Sequence, residues 1–521
     1  MSQKPNRKQR PAAGGLPRWD LPLKPTYNRI HHTLDFFGLF RIIESHSHTC
    51  FFLESLEEGS SDSRYSVIGF LPEVILRAQS HGLHYDRMET APDKRYAALE
   101  SDFYESENPY ELISEWMPDN SISRNYCGGL VGYLGYDATN FFEPGLGLRF
   151  HPDFDPFVFG IYTDGLVYDK MTGEVFYFHY DRDRSELVQE WMEEEPPQTG
   201  RLKATLLEKT RNAEQHRVMV EQTLEEIRAG NTFQCQIGFQ VKYELNGSTM
   251  AFYEALREVN PSPYMYFVKF GERQIIGASP ELVFRLRQGE METYPLAGTT
   301  RRSSDLGEDL SNARSLLNDP KEIAEHNMLV DLHRNDLGRV ARFGTVKVRR
   351  LMDIRKFSHV QHISSEVVGI IRKDKNMFDG LRATFPAGTL SGAPKVESMK
   401  IIERIEKSPR GPYGGAVGHF GWNGDCTFAI PIRTLFVNGN QAFARASGGI
   451  VYDSDSDYEF REIENKLAAI VRTLERFEEN PGREARGSGH NSGSDSRGNE
   501  GSVSSPGPSE DGSSGQNGDQ R

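Results

Sequence analysis

Two stretches far apart in this chain each carry a pair of glutamates three residues apart. They are Asp319-Pro320-Lys321-Glu322-Ile323-Ala324-Glu325-His326 and Glu459-Phe460-Arg461-Glu462-Ile463-Glu464-Asn465-Lys466. On a helix, residues at that spacing project from one side. A hard divalent cation such as Mg2+ takes oxygen ligands, is satisfied with one or two carboxylates, and keeps positions open for a substrate oxyanion. Such a pair is more often a solvated helix face, and Glu322 and Glu459 also suit a first-turn role against the helix dipole. Glu325 and Glu462 lie deeper in their helices and are the stronger ligand candidates.

Between the two pairs lie other groups able to do chemistry. The run Phe385-Pro386-Ala387-Gly388-Thr389-Leu390-Ser391-Gly392-Ala393-Pro394-Lys395 is a Gly-rich loop entering a helix, a place where backbone amides and hydroxyls meet an anion. It lacks the Gly spacing and the Gly-Lys-Ser/Thr of a nucleotide-binding loop. By itself it reads as a tight turn. Arg433 follows the apolar run Phe428 to Ile432, and an arginine in such a setting asks for a carboxylate partner. The glycines of Gly414-Gly415 and Gly448-Gly449 allow close backbone approach. His362 is a candidate proton carrier whose role depends on its surroundings.

The elements that must position these groups are legible. Asp319 and Pro320 are helix-start residues, and Ser456 with Glu459 has capping-box spacing. Ile463, Leu467, Ile470 and Leu474 recur at helical period as a core face. A helix is expected at 213–229. Strands are expected at 232–243, 264–270, 274–278 and 282–288, and a hairpin around Met171-Thr172-Gly173. The division is a disordered arm (1–25), an N-terminal region (26–182), a charged, Pro-bearing linker (183–212), a catalytic domain (213–478) and a polar, Gly/Ser-rich disordered tail (479–521). Hairpin-like strands without regular βαβ units indicate an α+β fold with antiparallel sheets.

A net formal charge of −14 and no basic stripe argue against nucleic acid as partner. No apolar run is long enough to span a bilayer, and no signal region is recognisable, so no membrane role and a cytoplasmic location are expected. The four widely spaced cysteines fit a reducing compartment.

In order along the chain, these motifs resemble the chorismate-binding enzyme family. They are Glu322-Ile-Ala-Glu325-His326 with Asp331-Leu-His-Arg-Asn335-Asp336, the Pro-Ala-Gly-Thr-Leu-Ser-Gly-Ala-Pro-Lys loop, Gly-Pro-Tyr413-Gly-Gly, Ile-Arg433-Thr and Gly448-Gly449-Ile-Val. The N-terminal half is similar too, through Phe52-Leu53-Glu54-Ser55, Arg64-Tyr65-Ser66-Val67-Ile68-Gly69 and Gly129-Leu-Val-Gly132-Tyr133. The resemblance implies large antiparallel sheets packed face to face with helices outside. It also implies Mg2+ on Glu322, Glu325, Glu459 and Glu462, holding the ring carboxylate of chorismate. Glu281 would be the general acid for the leaving hydroxyl, and His362 would act in pyruvate elimination. Thr389 would join these two in catalysis and, with Tyr413, Arg433, Gly448, Gly449 and Lys466, would bind the substrate, with Gly298 and Thr299 lining its ring.

Within the family the resemblance is to the anthranilate synthase large subunits. Alanine stands at Ala297, where aminodeoxychorismate synthases usually carry lysine, and Gln234 stands where isochorismate synthases use lysine to activate water. That branch implies ammonia from a separate glutamine amidotransferase subunit, since none of the four cysteines lies in a glutaminase nucleophile motif. It also implies a tryptophan feedback site around Ser55, Pro261, Tyr264 and Met265. The alternatives are an aminodeoxychorismate synthase component I and a non-catalytic tryptophan-binding subunit. The run Cys235-Gln236-Ile237-Gly238 departs from the usual pattern and marks a changed pocket floor.

Overall fold

Alternation of side chains along the strands sorts the chain into two large antiparallel sheets. In the computed structural model, residues 21–31, 35–57, 64–89, 102–118, 121–123, 126–356 and 360–478 are described. The first sheet runs Thr26–Ile30, Glu174–His179, Asp164–Asp169, Tyr65–Phe70, Thr49–Glu54, Tyr264–Phe270, Arg273–Ser279, Thr434–Asn438, Gln441–Ile450, Gln234–Gly247 and Leu202–Lys209. The second runs Leu296–Arg301, Val360–Ile370, Glu290–Thr293, Leu282–Arg287, Cys426–Ala429, Ala416–Gly421, Gly129–Leu134, Phe157–Tyr162, Val74–Gln79, Gly82–Arg87 and Phe103–Glu105. Lys347–Lys356 pairs with Val360–Ile370 outside this path.

Successive residues face opposite ways on a strand, and the burial follows. Phe51, Val67, Tyr266, Val268 and Ile275 point from the first sheet into a core shared with Leu76, Val131, Phe159, Val283 and Phe428 of the second. Their neighbours Phe52, Ile68, Phe267 and Ile276 point the other way, onto helices Phe36–His46, Thr249–Val259 and Ser456–Glu475. The expected α+β sandwich with helices outside is therefore present.

The hairpin falls at Asp164–Asp169 and Glu174–His179, and the helix expected at 213–229 is Ala213–Arg228. The helix Ser456–Glu475 buries Ile463, Leu467, Ile470 and Leu474, but its cap is Asp455, which accepts from the Tyr458 amide, so Ser456 is the first helical residue. The stretch 183–212, expected as a linker, carries helix Ser185–Glu193 and strand Leu202–Lys209, paired with Gln234–Gly247. In each sheet the strands of the two expected regions form contiguous blocks that meet at one junction, Thr49–Glu54 beside Tyr264–Phe270 in the first and Gly129–Leu134 beside Ala416–Gly421 in the second. The tail at 479–521, and the arm at 1–25 apart from residues 21–25, lie outside the described residues. Among the described residues no helix is long and apolar enough to cross a membrane.

One buried charge cluster ties helix Lys395–Glu406 to the first sheet. Glu406, at the end of helix Lys395–Glu406, accepts from Arg410 at 2.8 and 2.9 Å, from Arg445 at 2.5 Å and from the Gly238 amide at 2.8 Å. Arg410 also donates to Leu390 O (2.6 Å) and Gln236 O (2.8 Å). Burial opposes ionisation of Glu406, yet the two guanidiniums outweigh it and hold the carboxyl below its usual range. Removing one partner of a buried ion group strands the others without compensation. Glu406→Ala should therefore lower unfolding stability by about 3–5 kcal/mol, read by chemical denaturation; a loss under about 1 kcal/mol, within the range of an exposed pair, would show that the cluster does not brace the fold.

Candidate functional site

Helix Pro320–Gly338 begins with Asp319 accepting from the amides of Lys321 and Glu322, which fixes where Glu322 and Glu325 emerge. Helix Ser456–Glu475 lies against strand Gln441–Ile450 through its apolar face, which sets Glu459 beside Gly448 and Lys466 against Ser447 O, and leaves Glu462 near enough to Glu325 to raise its pKa. The glutamates of the two helices sense one another. Burial raises the pKa of Glu322 and Glu325, and the nearby Glu462 raises both further. Burial pushes Glu459 up to about 7, where Ser454 partly opposes the rise and Glu462 adds to it.

Oε2 of Glu459 is buried without a hydrogen-bond partner, while Oε1 accepts from Ser454 at 2.7 Å. Glu325 accepts from Gln234 at 3.1 Å, and Glu462 pairs with Lys466 at 2.6 Å. As they stand, no three His, Cys, Asp or Glu side chains among the described residues are gathered tightly enough to hold an ion. Lys466 and Lys321 bring positive charge to the cluster, and Gln234 an amide donor. Buried like charges and an orphaned carboxylate oxygen fit a divalent cation. The residues that would hold it are Glu322, Glu325, Glu459 and Glu462.

A second group is linked to the first through Lys466, which acts on Glu325 and Glu281 alike. Glu281 accepts from Thr389 Oγ1 at 2.8 Å. Burial lifts its pKa to about 7 although Thr389, Lys466 and Arg433 all favour the anion. His362 Nδ1 lies 2.8 Å from Gly298 O and 3.0 Å from Thr299 Oγ1. A carbonyl can only accept, so the proton sits on Nδ1 and Nε2 carries the lone pair. Burial, helped by Arg433, brings the pKa of His362 down to about 4, which keeps the ring neutral. Arg433 is half-buried, has a left-handed backbone (φ 49°), and finds no carboxylate within ion-pair distance among the described residues. A half-buried guanidinium in that state suits an incoming carboxylate.

The remaining sequence-predicted residues take distinct places. Gly298 (φ 62°) sits at a bulge in the pairing of Leu296–Arg301 with Val360–Ile370, and a Cβ there would stand 2.9 Å from Glu322 Oε2. A Cβ on Gly448 would meet Glu459 Oε2, also at 2.9 Å. These glycines thus make room for the carboxylates. A Cβ on Gly449 would stand 2.7 Å from Gln234 Nε2 and 2.8 Å from Gln236 Nε2. Tyr413 bonds Ser447 Oγ at 2.9 Å, and Lys466 also donates to Ser447 O at 2.9 Å. Gln236, Ser447 and the Glu406 cluster were not identified as site residues from the sequence. The Gln234-x-Gln236 spacing on one strand face was the available signal.

Ser55, Tyr264 and Met265 line a cavity of about 190 Å3 between the sheets, together with Leu53, Tyr126 and His419 among others. Pro261 does not line it; it lies in the turn whose Ser262 O accepts from the Leu56 amide at 2.9 Å.

Fold and cleft together define a class. The sequence profile of the chorismate binding enzyme family matches residues 49–472, and the chain belongs to that family. It is 54% identical over 467 residues to the anthranilate synthase component 1 of Leptospira biflexa, covering 88% of this chain and 98% of that protein. It is 42% identical over 440 residues to that of Methanothermobacter thermautotrophicus, covering 84% and 92%. The crystal structure of anthranilate synthase component I from Streptococcus pneumoniae superposes with a TM-score of 0.70 at 30% identity, over 80% of this chain and 94% of that one. The menaquinone-specific isochorismate synthase of Escherichia coli shares the fold, with a TM-score of 0.65 at 17% identity over 87% and 96%.

The raised pKa of Glu459 has a stability consequence. Between its ordinary 4.5 and about 7, the folded state binds the proton more tightly than the unfolded state. Stability from this group is therefore lost as pH rises through that window. A divalent cation can take the proton's place. The gain in Tm on adding Mg2+ should be larger at pH 8 than at pH 6, and Glu459→Gln should shrink the difference. Equal gains at both pH values in the parental protein would contradict a cation site here.

Proposed function

We propose that this chain is the large subunit of an anthranilate synthase, converting chorismate and ammonia to anthranilate and pyruvate. The observation that carries the reading is Arg433, without an ion-pair partner among the described residues, in one cleft with a carboxyl poised near neutrality and a neutral histidine. The names of the relatives support the same conclusion.

Arg433 takes a substrate carboxylate as a charge-assisted hydrogen-bond partner. Mg2+ on the glutamates, when bound, neutralises the ring carboxylate and draws electron density from the ring. Glu281, protonated in a large fraction near pH 7, gives its proton to the departing hydroxyl, and Thr389 fixes the carboxyl's orientation. His362 uses Nε2 as the base for the elimination that releases pyruvate, while Gly298 O holds its Nδ1 proton. Ala297 offers no amine for covalent capture, which favours anthranilate over 4-amino-4-deoxychorismate. The ammonia comes from a glutamine amidotransferase subunit. The inter-sheet cavity at Ser55, Tyr264 and Met265 is the tryptophan site, its apolar walls suiting an indole. The enzyme works in the cytoplasm.

Chorismate with ammonium and Mg2+ should give blue anthranilate fluorescence from the isolated chain, whereas glutamine should serve only after the partner is added. Glu325→Gln should abolish turnover and keep tryptophan binding; unchanged turnover would remove Glu325 from the metal site. At fixed un-ionised ammonia, kcat/KM should fall as pH rises through about 7, the range where free-enzyme Glu281 loses its proton. Glu281→Gln should flatten that limb and cut kcat by roughly 100-fold or more. An unaltered pH profile in this variant would exclude Glu281 as the acid.

A further inference from the structure

The floor of the cleft holds a chain of hydrogen bonds whose direction is set by one side-chain amide. Gln236 pairs across the sheet with Gly449, and Arg410 holds its carbonyl oxygen at 2.8 Å. Its Oε1 accepts from Ser447 Oγ at 3.1 Å, and Ser447 Oγ lies 2.9 Å from the Tyr413 hydroxyl. Ser447 and Tyr413 are only 3% and 2% exposed, so water has little access to substitute for either partner.

A serine hydroxyl has one proton. With that proton on Gln236 Oε1, Tyr413 must donate to Ser447. The tyrosine then offers only lone pairs to the cleft and cannot donate to a carboxylate. Turning the amide end over places Nε2–H toward Ser447. Ser447 then donates to Tyr413, and the tyrosine proton is released toward the cleft. The same heavy-atom positions serve both states, because the amide oxygen and nitrogen exchange places.

We propose that Gln236 is a positioning residue that, through Ser447, switches Tyr413 from acceptor to donor when an anionic substrate enters. The role rests on the reading of the cleft as a chorismate site. It accounts for a polar residue at the position marked as a departure on the pocket floor. It also explains the glycine opposite, since a Cβ on Gly449 would stand 2.8 Å from the amide nitrogen.

Glutamate and methionine at this position separate the switch from simple packing. An ionised glutamate would only accept, locking Ser447 and Tyr413 in the unproductive direction. A methionine imposes no direction. Gln236→Glu should raise the KM for chorismate at least tenfold above that of Gln236→Met, with kcat changed much less. In a Tyr413→Phe background the two substitutions should differ by less than about threefold, because no hydroxyl remains to orient. Thermal melts of all variants establish that they fold, and chorismate binding by fluorescence quenching reads any variant too slow to assay. A Glu-to-Met ratio that persists in Tyr413→Phe would be charge repulsion and would overturn the switch. So would equal KM values for the two single variants. A parental enzyme that fails to turn over chorismate overturns the functional reading, and the switch with it; a parental enzyme that succeeds while the ratio persists overturns the switch alone.

Discussion

Carboxylates from two helices, distant in sequence, are held close enough that Glu462 raises the proton affinity of Glu322, Glu325 and Glu459, and the molecule is arranged to resist the resulting repulsion. One helix is pinned by its Asp319 cap, by His326 bonded to Ser365 at 2.6 Å, and by Asp336 accepting from Lys395 at 3.0 Å. The other is held by four apolar residues against the first sheet. Neither helix can swing away without exposing core or breaking buried polar contacts. The repulsion is instead relieved locally, by the Lys466 ion pair and by the uptake of protons or of a cation.

The same logic explains the second group. A guanidinium, a neutral imidazole and a carboxyl titrating near neutrality share one pocket, and each departs from its ordinary state because burial penalises charge. Strand pairing and the Glu406 cluster hold the elements around these groups. By gripping Leu390 O, Gln236 O and the Gly238 amide, the cluster fixes the short helix Gly388–Ser391 that carries Thr389 and the strand that carries Gln234 and Gln236. A hydrophobic contact could bury the same area, but it could not fix three backbone groups in direction at once.

Much of this was legible before any coordinates. The apolar stripe of Ser456–Glu475, the Asp319-Pro320 start and the hairpin near Thr172 follow from periodicity and cap chemistry. Those are local rules, so they survive in the fold. Local rules misplaced one cap: Asp455 caps the helix in place of Ser456, because one residue of offset decides which side chain reaches the free amides. They also missed the order in 183–212, where tertiary pairing with Gln234–Gly247 makes a strand of a charged segment.

Taken alone, the sequence determined which residues share a helix or strand face, where acids, glycines and the candidate base stand, and the order of the motifs. These depend on backbone period and side-chain type, which are properties of neighbours. Only the tertiary structure decided that Lys466 reaches Ser447 O, that Gly298 and Gly448 make room for carboxylates, and that Pro261 lies off the cavity. The proton states of Glu281, His362 and Glu459, and the Gln236–Ser447–Tyr413 chain, belong to the same category. Desolvation and hydrogen-bond direction arise between groups that only the fold brings together, and no spacing along a chain encodes them.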